Sequence, residues 1–334
     1  MGHENLLNYY PVIPFDLTVC DMENGIFIDK DGFRTTVDGV DKRQFKNFLY
    51  SMDGKKNLKE LAQKNKVHTE DAIDLVTSLN EAKFLNLRST RVDKTIDPQK
   101  FAKICRKLYP KWKEELFSTP FWQKLMSGNA NKTELVGWLL ENYHFIEGAT
   151  VRLSMVVSTC RNKRIREHFA QHFIEEYDHH KFFMRSLNIL GIDKEMVKAH
   201  KPLPSTLAIL GHMRECGKRD PISYAACSAF LESTGEDRKD ATTFYDLLDQ
   251  YYDKEGPGFT KPMRAHSTLD EEYGHNEWLE KICSEVEILD RERADDALQS
   301  ARTLVETLKL WTSDIGRTYG NLKYVDLFNS FQYR

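Results

Sequence analysis

The chain lacks a CxxC pair. Its six cysteines, Cys20, Cys105, Cys160, Cys216, Cys227 and Cys283, are scattered, which gives no support to a zinc knuckle or a redox dithiol. They read as the reduced cysteines of a cytoplasmic protein. A run of about 18 apolar residues is also missing, so no membrane span is expected. The opening MGHENLLNYYPVIPF has no basic region followed by an apolar stretch, so no secretion signal is expected. Position 6 is Leu6 rather than Ser or Thr, which argues against myristoylation at Gly2. Charge of one sign is missing as well: the net charge is −3 over 334 residues. Such a balance implies no global pull toward nucleic acid or an anionic membrane. The basic stretches Arg161–Arg166 and Lys103–Lys113 sit among apolar residues and read as solvated helix faces. There is no internal repeat.

What the chain does have is concentrated in REHFAQHFIEEYDHHKFFMRSLNILG, residues 166–191. It carries His168, His172, His179 and His180 together with Glu175 and Glu176, and it reads as one helix. At roughly 100° per residue, His168, His172, Glu175, Glu176 and His179 fall within about 100° of one another. Phe183, Leu187 and Leu190 continue that face, which therefore points at a core. Buried carboxylates and imidazoles are costly unless paired or bound to metal. A second such segment, HSTLDEEYGHNEWLEKI, puts His266 and Asp270 at i, i+4. Two inward-facing carboxylate–histidine helices are what a helical-bundle iron site requires.

The first 90 residues differ from the rest. Thr18–Cys20, Gly25–Ile28 and Phe33–Val37 are short, β-leaning and separated by Asp, Asn and Gly, as in strands of a hairpin. Phe45, Phe48, Leu49 and Met52 follow at helical spacing, with Gly54 as a stop. LKELAQKNKV and TEDAIDLVTSLNEAKFL give two more amphipathic helices, the second with Thr69 as its expected N-cap. The expectation is a small α+β winged-helix domain over residues 1–90. RSTRVDKTIDPQ, residues 88–99, is the expected linker, and a helical domain over 91–334 follows. Its expected helices run over 99–108, 111–126, 132–158, 162–190, 221–235, 238–253, 260–286 and 290–313, with no strand pattern.

Residues 48–87, FLYSMDGKKNLKELAQKNKVHTEDAIDLVTSLNEAKFLNL, resemble the PqqD-like family, also called the RiPP recognition element. That resemblance implies a domain that binds the leader of a precursor peptide as an added strand. A winged helix used only for packing or dimerisation is the alternative.

In the helical part, candidate ligands occur on four segments. ELVGWLLENYHFIEGATVRL carries Glu141, His144 and Glu147, but Glu141 and Glu147 lie roughly 240° apart and cannot both face one site. His144 reads equally as a hydrogen-bonded core histidine. His168 and His172 read as surface or supporting groups, and His180 as a flank residue. Glu176 with His179 has the Glu-x-x-His spacing of helical di-iron sites. Glu232 lies in the small, apolar run ISYAACSAFLE, where an unpaired carboxylate would be costly. Non-haem iron that activates O2 uses carboxylates and imidazoles with positions left open.

Residues 142–191 resemble the haem-oxygenase-like superfamily, in particular the branch of PqqC, TenA and the haem-oxygenase-like di-iron oxidases. The carriers are Tyr143-His144-Phe145, the Glu175–Glu176 pair, His179 and the Leu190-Gly191 that follows. The resemblance spans about residues 98–313 and implies a mainly α, haem-oxygenase-like helical bundle. Glu176 and His179 match the family's Glu-x-x-His, Glu232 its next core carboxylate, and His266 and Asp270 the start of its His-x3-Asp-x2-His motif. The last histidine of that motif falls on Tyr273. His275 lies two residues on, facing away on an ideal helix, unless a bulge at Gly274 turns it inward. The expected metal ligands are therefore Glu141, Glu176, His179, Glu232, His266, Asp270 and His275. Tyr143, His144 and Tyr273 are the expected catalytic groups.

The resemblance implies an O2-dependent non-haem iron oxidase or oxygenase holding two Fe(II) ions. With the N-terminal domain it implies a ribosomally made peptide, or a peptide-carried amino acid, as substrate. A homodimer is expected. One alternative is a metal-independent PqqC-like oxidase using Tyr143, His144 and Arg152; the other is a non-catalytic scaffold for a leader peptide. TenA-like thiaminase chemistry needs a placed cysteine nucleophile, and none of the six can be assigned to it.

Overall fold

A computed structural model describes residues 3–14, 17–30, 33–88, 94–232, 238–324 and 327. The chain divides into two compact units, Met1–Thr95 and Ile96–Arg334. Much of the expected linker, residues 89–93, lies outside the described residues.

The first unit holds strands β1 (Tyr10–Val12), β2 (Thr18–Met22), β3 (Gly25–Lys30) and β4 (Phe33–Asp38). Helices α1 (Lys42–Tyr50), α2 (Leu58–Asn65) and α3 (Thr69–Glu81) follow, then β5 (Asn86–Arg88). β2, β3 and β4 form an antiparallel meander with β3 central, and β1 pairs separately with β5. The local chemistry explains the helix starts. The Asp41 carboxylate accepts from the Gln44 N–H at the head of α1, and Asn57 and Glu60 form a reciprocal capping box at the head of α2. At α3 the cap is His68, without a side-chain bond, and Thr69 is the first helical residue rather than the cap. Ile26, Ile28, Phe48, Leu49, Leu58 and Val76 meet in one core, because the amphipathic stripes of three helices close over one face of the meander.

The second unit is a helical bundle. Its helices are α4 (Pro98–Phe117), α5 (Pro120–Met126), α6 (Lys132–Glu147), α7 (Ala149–Thr159), α8 (Lys163–Glu176), α9 (His180–Ile189), α10 (Lys194–Ala199), α11 (Pro204–Arg219), α12 (Pro221–Glu232), α13 (Arg238–Tyr252), α14 (Lys261–Tyr273), α15 (Trp278–Ser284) and α16 (Arg291–Gly320). α16 packs along α6, α11 and α12, α8 lies on α7, and α9 touches both α6 and α14. Trp112, Phe169, Tyr224 and Phe230 are fully buried at the centre. The sequence expectations differ here in several places: 132–158 is split at Gly148 and 260–286 at Gly274, and α10 forms where no helix was expected. Pro110 lies inside the continuous α4, and the break falls at Ser118–Thr119, just ahead of Pro120. The chain of 204–219, expected as no helix, forms α11 behind Pro204. Residues 289–290 form a two-residue strand. And 166–191 is two helices, not one.

That last difference positions the site. α8 ends at Glu176, and the N–H groups of Tyr177 and His179 bond three residues back, to the carbonyls of Ile174 and Glu176. A turn tightened to i→i−3 bonds still advances roughly once around, so His179 stays beside Glu176. α9 then starts on a new axis.

Candidate metal centre

Four segments converge inside the second unit. α8 supplies His172, Glu175 and Glu176, and the tight turn after it supplies His179. The last residue of α12 is Glu232, and α14 contributes His266 and Asp270. The fourth contribution, His275, comes from just past the end of α14. His172, Glu176, His179 and His275 are at most 5% exposed.

Gly274 decides which group of the broken motif points inward. α14 stops at Tyr273 because Gly274 adopts the left-handed conformation, φ +67°, which glycine reaches without a Cβ clash. A short 3₁₀ turn, His275–Glu277, then starts in a new direction. His275 is buried at 2% exposure while Tyr273 stands 41% exposed. Tyr273 lies with its ring parallel to that of His179 at 6.4 Å between centroids, on the outer side of the cluster. The bulge expected inside the helix is thus the helix end itself.

Glu176 Oε1 is the hub. It lies 3.2 Å from His179 Nδ1, 3.6 Å from His172 Nε2 and 3.7 Å from His275 Nδ1. Asp270 Oδ1 bridges similarly, 3.5 Å from His179 Nδ1 and 3.6 Å from His275 Nδ1, while its other oxygen is 3.3 Å from His266 Nδ1. Glu232 approaches His275 Nδ1 at 3.6 Å and His172 Nε2 at 4.0 Å. Two overlapping ligand sets result: Glu176, His179 and His266, and His172, Glu176, Glu232 and His275. Behind the second set, His275 Nε2 donates to Glu175 Oε2 at 3.2 Å. That bond aims Nδ1 at the hub, the carboxylate–imidazole support that metal-binding histidines use.

The donor set fits a cation. His172 Nδ1 and Nε2, His179 Nδ1, His266 Nε2, His275 Nδ1 and Asp270 Oδ1 are all buried with no hydrogen-bond partner. Orphaned buried polar atoms are rare and costly, and here they occur together around the hub. Electrostatics agree. Burial would raise the Glu176 carboxyl, yet His172 and His179 hold it well below the usual carboxylate range. Burial also opposes charge on Glu232, which His275 overcomes to keep its carboxyl low. Asp270 is pushed well up by burial and by the negative charge of Glu232 and Glu176. Against the desolvation that would lower it, His275 is drawn up to about 10 by Glu232, Asp270 and Glu176. A cluster that needs a protonated imidazole to balance its carboxylates is a cluster short of positive charge.

Glu232, His266, Asp270, Glu176 and His275 open on a cavity of about 830 Å³ whose other walls include Trp138, Phe183 and Phe230. Arg152 also lines it; its Nη1 donates to the Phe145 carbonyl at 2.6 Å, and its Nε is unpartnered. None of the six cysteines lines this cavity.

Three expected site residues lie elsewhere. Glu141 is fully buried but does not reach the cluster. Its Oε1 accepts from Tyr319 Oη at 2.6 Å, and its Oε2 from the Leu203 N–H at 3.0 Å and from Thr206. The close approach of α6 to α16 that allows this depends on Gly137, one turn before Glu141, because a Cβ there would lie 2.2 Å from the Tyr319 ring. His144 pairs with His200 at 2.9 Å, and His200 meets Tyr319 Oη at 3.0 Å. Tyr143 packs edge-on to His144 and His180. α6 turns Glu141 toward α11 and α16 and His144 toward His200, while Tyr143, on another side of the helix, packs against His180 at the start of α9. Sequence reasoning misses two groups: His172, expected as a surface or supporting residue, sits at the cluster, and Glu175 holds His275. The i, i+4 spacing of His172 and Glu176 was the available signal.

Residues 106–238 match the model of the TENA/THI-4/PQQC family. The structure is similar to a domain of unknown function with a haem-oxygenase-like fold from Shewanella denitrificans, at 20% identity and TM-score 0.58, covering 66% of this chain and 93% of that one. It is also similar to a TenA homologue from Pseudomonas syringae pv. tomato, at 12% identity and TM-score 0.53, covering 65% and 93% respectively. No curated protein matches. Residues 106–238 are thus similar to the TENA/THI-4/PQQC family and lie in a mainly helical unit of haem-oxygenase-like fold.

Proposed function

We propose that the protein is an O2-dependent non-haem iron oxidase or oxygenase acting on a peptide, or on an amino acid carried by one. The observation that carries this reading is the set of buried, partnerless ring nitrogens and carboxylate oxygens around Glu176. Glu176, His179, His266 and Asp270 would hold one Fe(II), and His172, Glu176, Glu232 and His275 a second. Such a centre supplies O2 activation, because nitrogen and oxygen ligands that leave positions open suit Fe(II).

The remaining steps belong to the chain's own groups. Glu175 keeps His275 in the orientation a ligand needs. Trp138, Phe183 and Phe230 line the cavity with apolar surface and exclude bulk water from the reacting atoms. Arg152 offers a guanidinium N–H to an anionic or carbonyl group of the substrate. The peptide half of the reading is supported by the meander of the first unit, in which β2 and β4 are edge strands able to accept an added strand. Of the three residues a metal-independent reading would use, only Arg152 lines the cavity, so the iron reading is preferred.

Protein loaded with Fe(II) under argon should bind up to two irons and develop a transient visible absorbance on exposure to O2. His179→Ala should lose most of the iron. Protein that binds no iron, or a His179→Ala variant that loads fully, refutes the iron reading. The peptide half has its own test. A chain starting near Thr90 should retain iron and lose affinity for the peptide; an unchanged Michaelis constant removes the first unit from substrate recognition.

A further inference from the structure

A second set of metal-ligating side chains lies apart from the carboxylate cluster and outside its cavity. His212 and Cys216 sit one turn apart on α11, and Cys227 faces them from α12. His212 Nε2 is 3.6 Å from Cys216 Sγ and 4.0 Å from Cys227 Sγ, and the two sulfurs are 4.0 Å apart. Zinc bonds of about 2.3 Å to sulfur and about 2.0–2.1 Å to nitrogen put tetrahedral S···S edges near ~3.8 Å and S···N edges near ~3.6 Å. The triangle observed is already within a few tenths of an ångström of that figure.

The surroundings agree with a closed site. Cys216 and Cys227 are buried, at 2% and 0% exposure. On the remaining side the main-chain carbonyl of Ser300 in α16 accepts a hydrogen bond from His212 Nε2–H at 2.9 Å, so a cation at this point would take that proton's place between the imidazole and the carbonyl. The Arg219 guanidinium donates to Ser300 Oγ at 2.8 Å, and its charge favours the ionised form of Cys227 against the burial that pushes this thiol up. Two thiolates neutralise one divalent ion, which removes the main cost of burying it. The donors are soft, unlike the oxygen-rich set around Glu176, and select zinc over Fe(II).

We propose that His212, Cys216 and Cys227 bind one Zn2+ that ties α11 to α12 beside α16, a structural site separate from the iron centre. Binding releases the two thiol protons and shifts the imidazole proton from Nε2, where it bonds the Ser300 carbonyl, to Nδ1, so that Nε2 takes the metal.

The test uses the full chain, stripped of metal under reducing conditions and titrated with Co2+ and then Zn2+. One equivalent of Co2+ should give intense near-ultraviolet thiolate-to-cobalt charge transfer, bleached by one equivalent of Zn2+. Cys216→Ser and Cys227→Ser should each abolish the band, whereas Cys105→Ser, which changes a buried thiol outside the triangle, should keep it. His179→Ala, which breaks the other centre, should also keep it, so the two proposals fail independently. Absence of the band in the unaltered protein overturns the site, and that measurement stands even where a variant does not fold. Persistence of the band in both cysteine variants overturns it as well. So does a Cys216–Cys227 disulfide, seen as a 2 Da mass loss in protein loaded with zinc.

Discussion

Two buried glutamates in the same helical unit make an instructive pair. Glu141 on α6 and Glu176 on α8 both lie in helices rich in aromatic and histidine residues, and both are shielded from solvent. Around Glu141 every approach is a hydrogen-bond donor: the Thr206 and Tyr319 hydroxyls and the Leu203 N–H. The network continues to Trp311, whose indole N–H donates to Thr206 at 2.7 Å, and through Tyr319 to His200 and His144. Around Glu176 the neighbours are imidazole nitrogens at 3.2–3.7 Å, several of them without any hydrogen bond. The first arrangement is complete as a protein network and fixes α6 against α11 and α16. The second leaves buried polar atoms without a hydrogen bond, as the proposed iron centre requires. Burial alone therefore does not distinguish a ligand from a structural carboxylate; the satisfaction of its neighbours does.

The sharpest way to break this contrast is to exchange the two defects. Glu176→Ala should reduce iron affinity by at least ~100-fold, since even groups that merely support ligands are worth 10–100-fold. Iron affinity is the readout here, because the metal-free protein also loses stability when His172 and His179 lose the carboxylate they hold charged. Glu141→Ala should act on stability alone. It strands three buried donors, at about 1–3 kcal/mol each, and should lower the urea midpoint strongly while iron per folded chain stays the same. Equal iron loss in both variants, measured by metal analysis of folded protein, would erase the distinction.

Acid should act on both regions. Burial pushes His144, in the Glu141 network, and His266, in the cluster, down to about 4 from an ordinary 6.5. Below pH 6.5 the unfolded chain takes up these protons and the folded chain does not, so folding weakens as the pH falls. Metal-free protein should be most stable with respect to these groups above about pH 6.5 and lose that contribution between about pH 6.5 and 4. Denaturation midpoints across that window check it, and His144→Asn should flatten the profile. A profile flat in the parent protein contradicts the neutral imidazoles.

Gly274 tests the backbone side of the contrast. With φ at +67°, Gly274→Ala imposes about 1–2 kcal/mol of left-handed strain on the turn that aims His275, and should weaken iron binding by about tenfold. The smallest effect is reserved for Tyr273→Phe. Its ring is exposed, and iron loading should stay within about twofold of the parent, whereas His275→Ala should lose much of its iron. Loss of iron in the tyrosine variant alone would return the motif to a straight-helix geometry.

Much of the fold was legible in the chain. The short β-leaning patches before residue 40 and the amphipathic helices after it follow from residue type, from the Asp, Asn and Gly between them and from helical apolar spacing, all of which act locally. The helical character beyond residue 96 and the inward face of His172, Glu176 and Phe183 follow from the same 3.6-residue period. Glu232 stood out because a carboxylate in an apolar run must find a partner. Helix ends were less legible. Three residues, Tyr177–His179, break α8 from α9 without a Gly or Pro to announce it, and Pro110 fails to break α4.

Sequence by itself determined which residues could be ligands, because the scarcity of buried carboxylate–histidine pairs is a matter of residue type and helical spacing. Tertiary structure decided which of them meet. Glu141 and Glu176 are equivalent in any one-dimensional reading, and only the packing of α6 on α11 and α16 gives one its donors and leaves the other to the imidazoles. The same holds for His275, re-aimed by a left-handed glycine, and for Cys216 and Cys227, eleven positions apart in sequence and 4.0 Å apart in space. Periodicity is set by bonds along the chain; coordination is set by contacts between segments far apart in it, which no local pattern records.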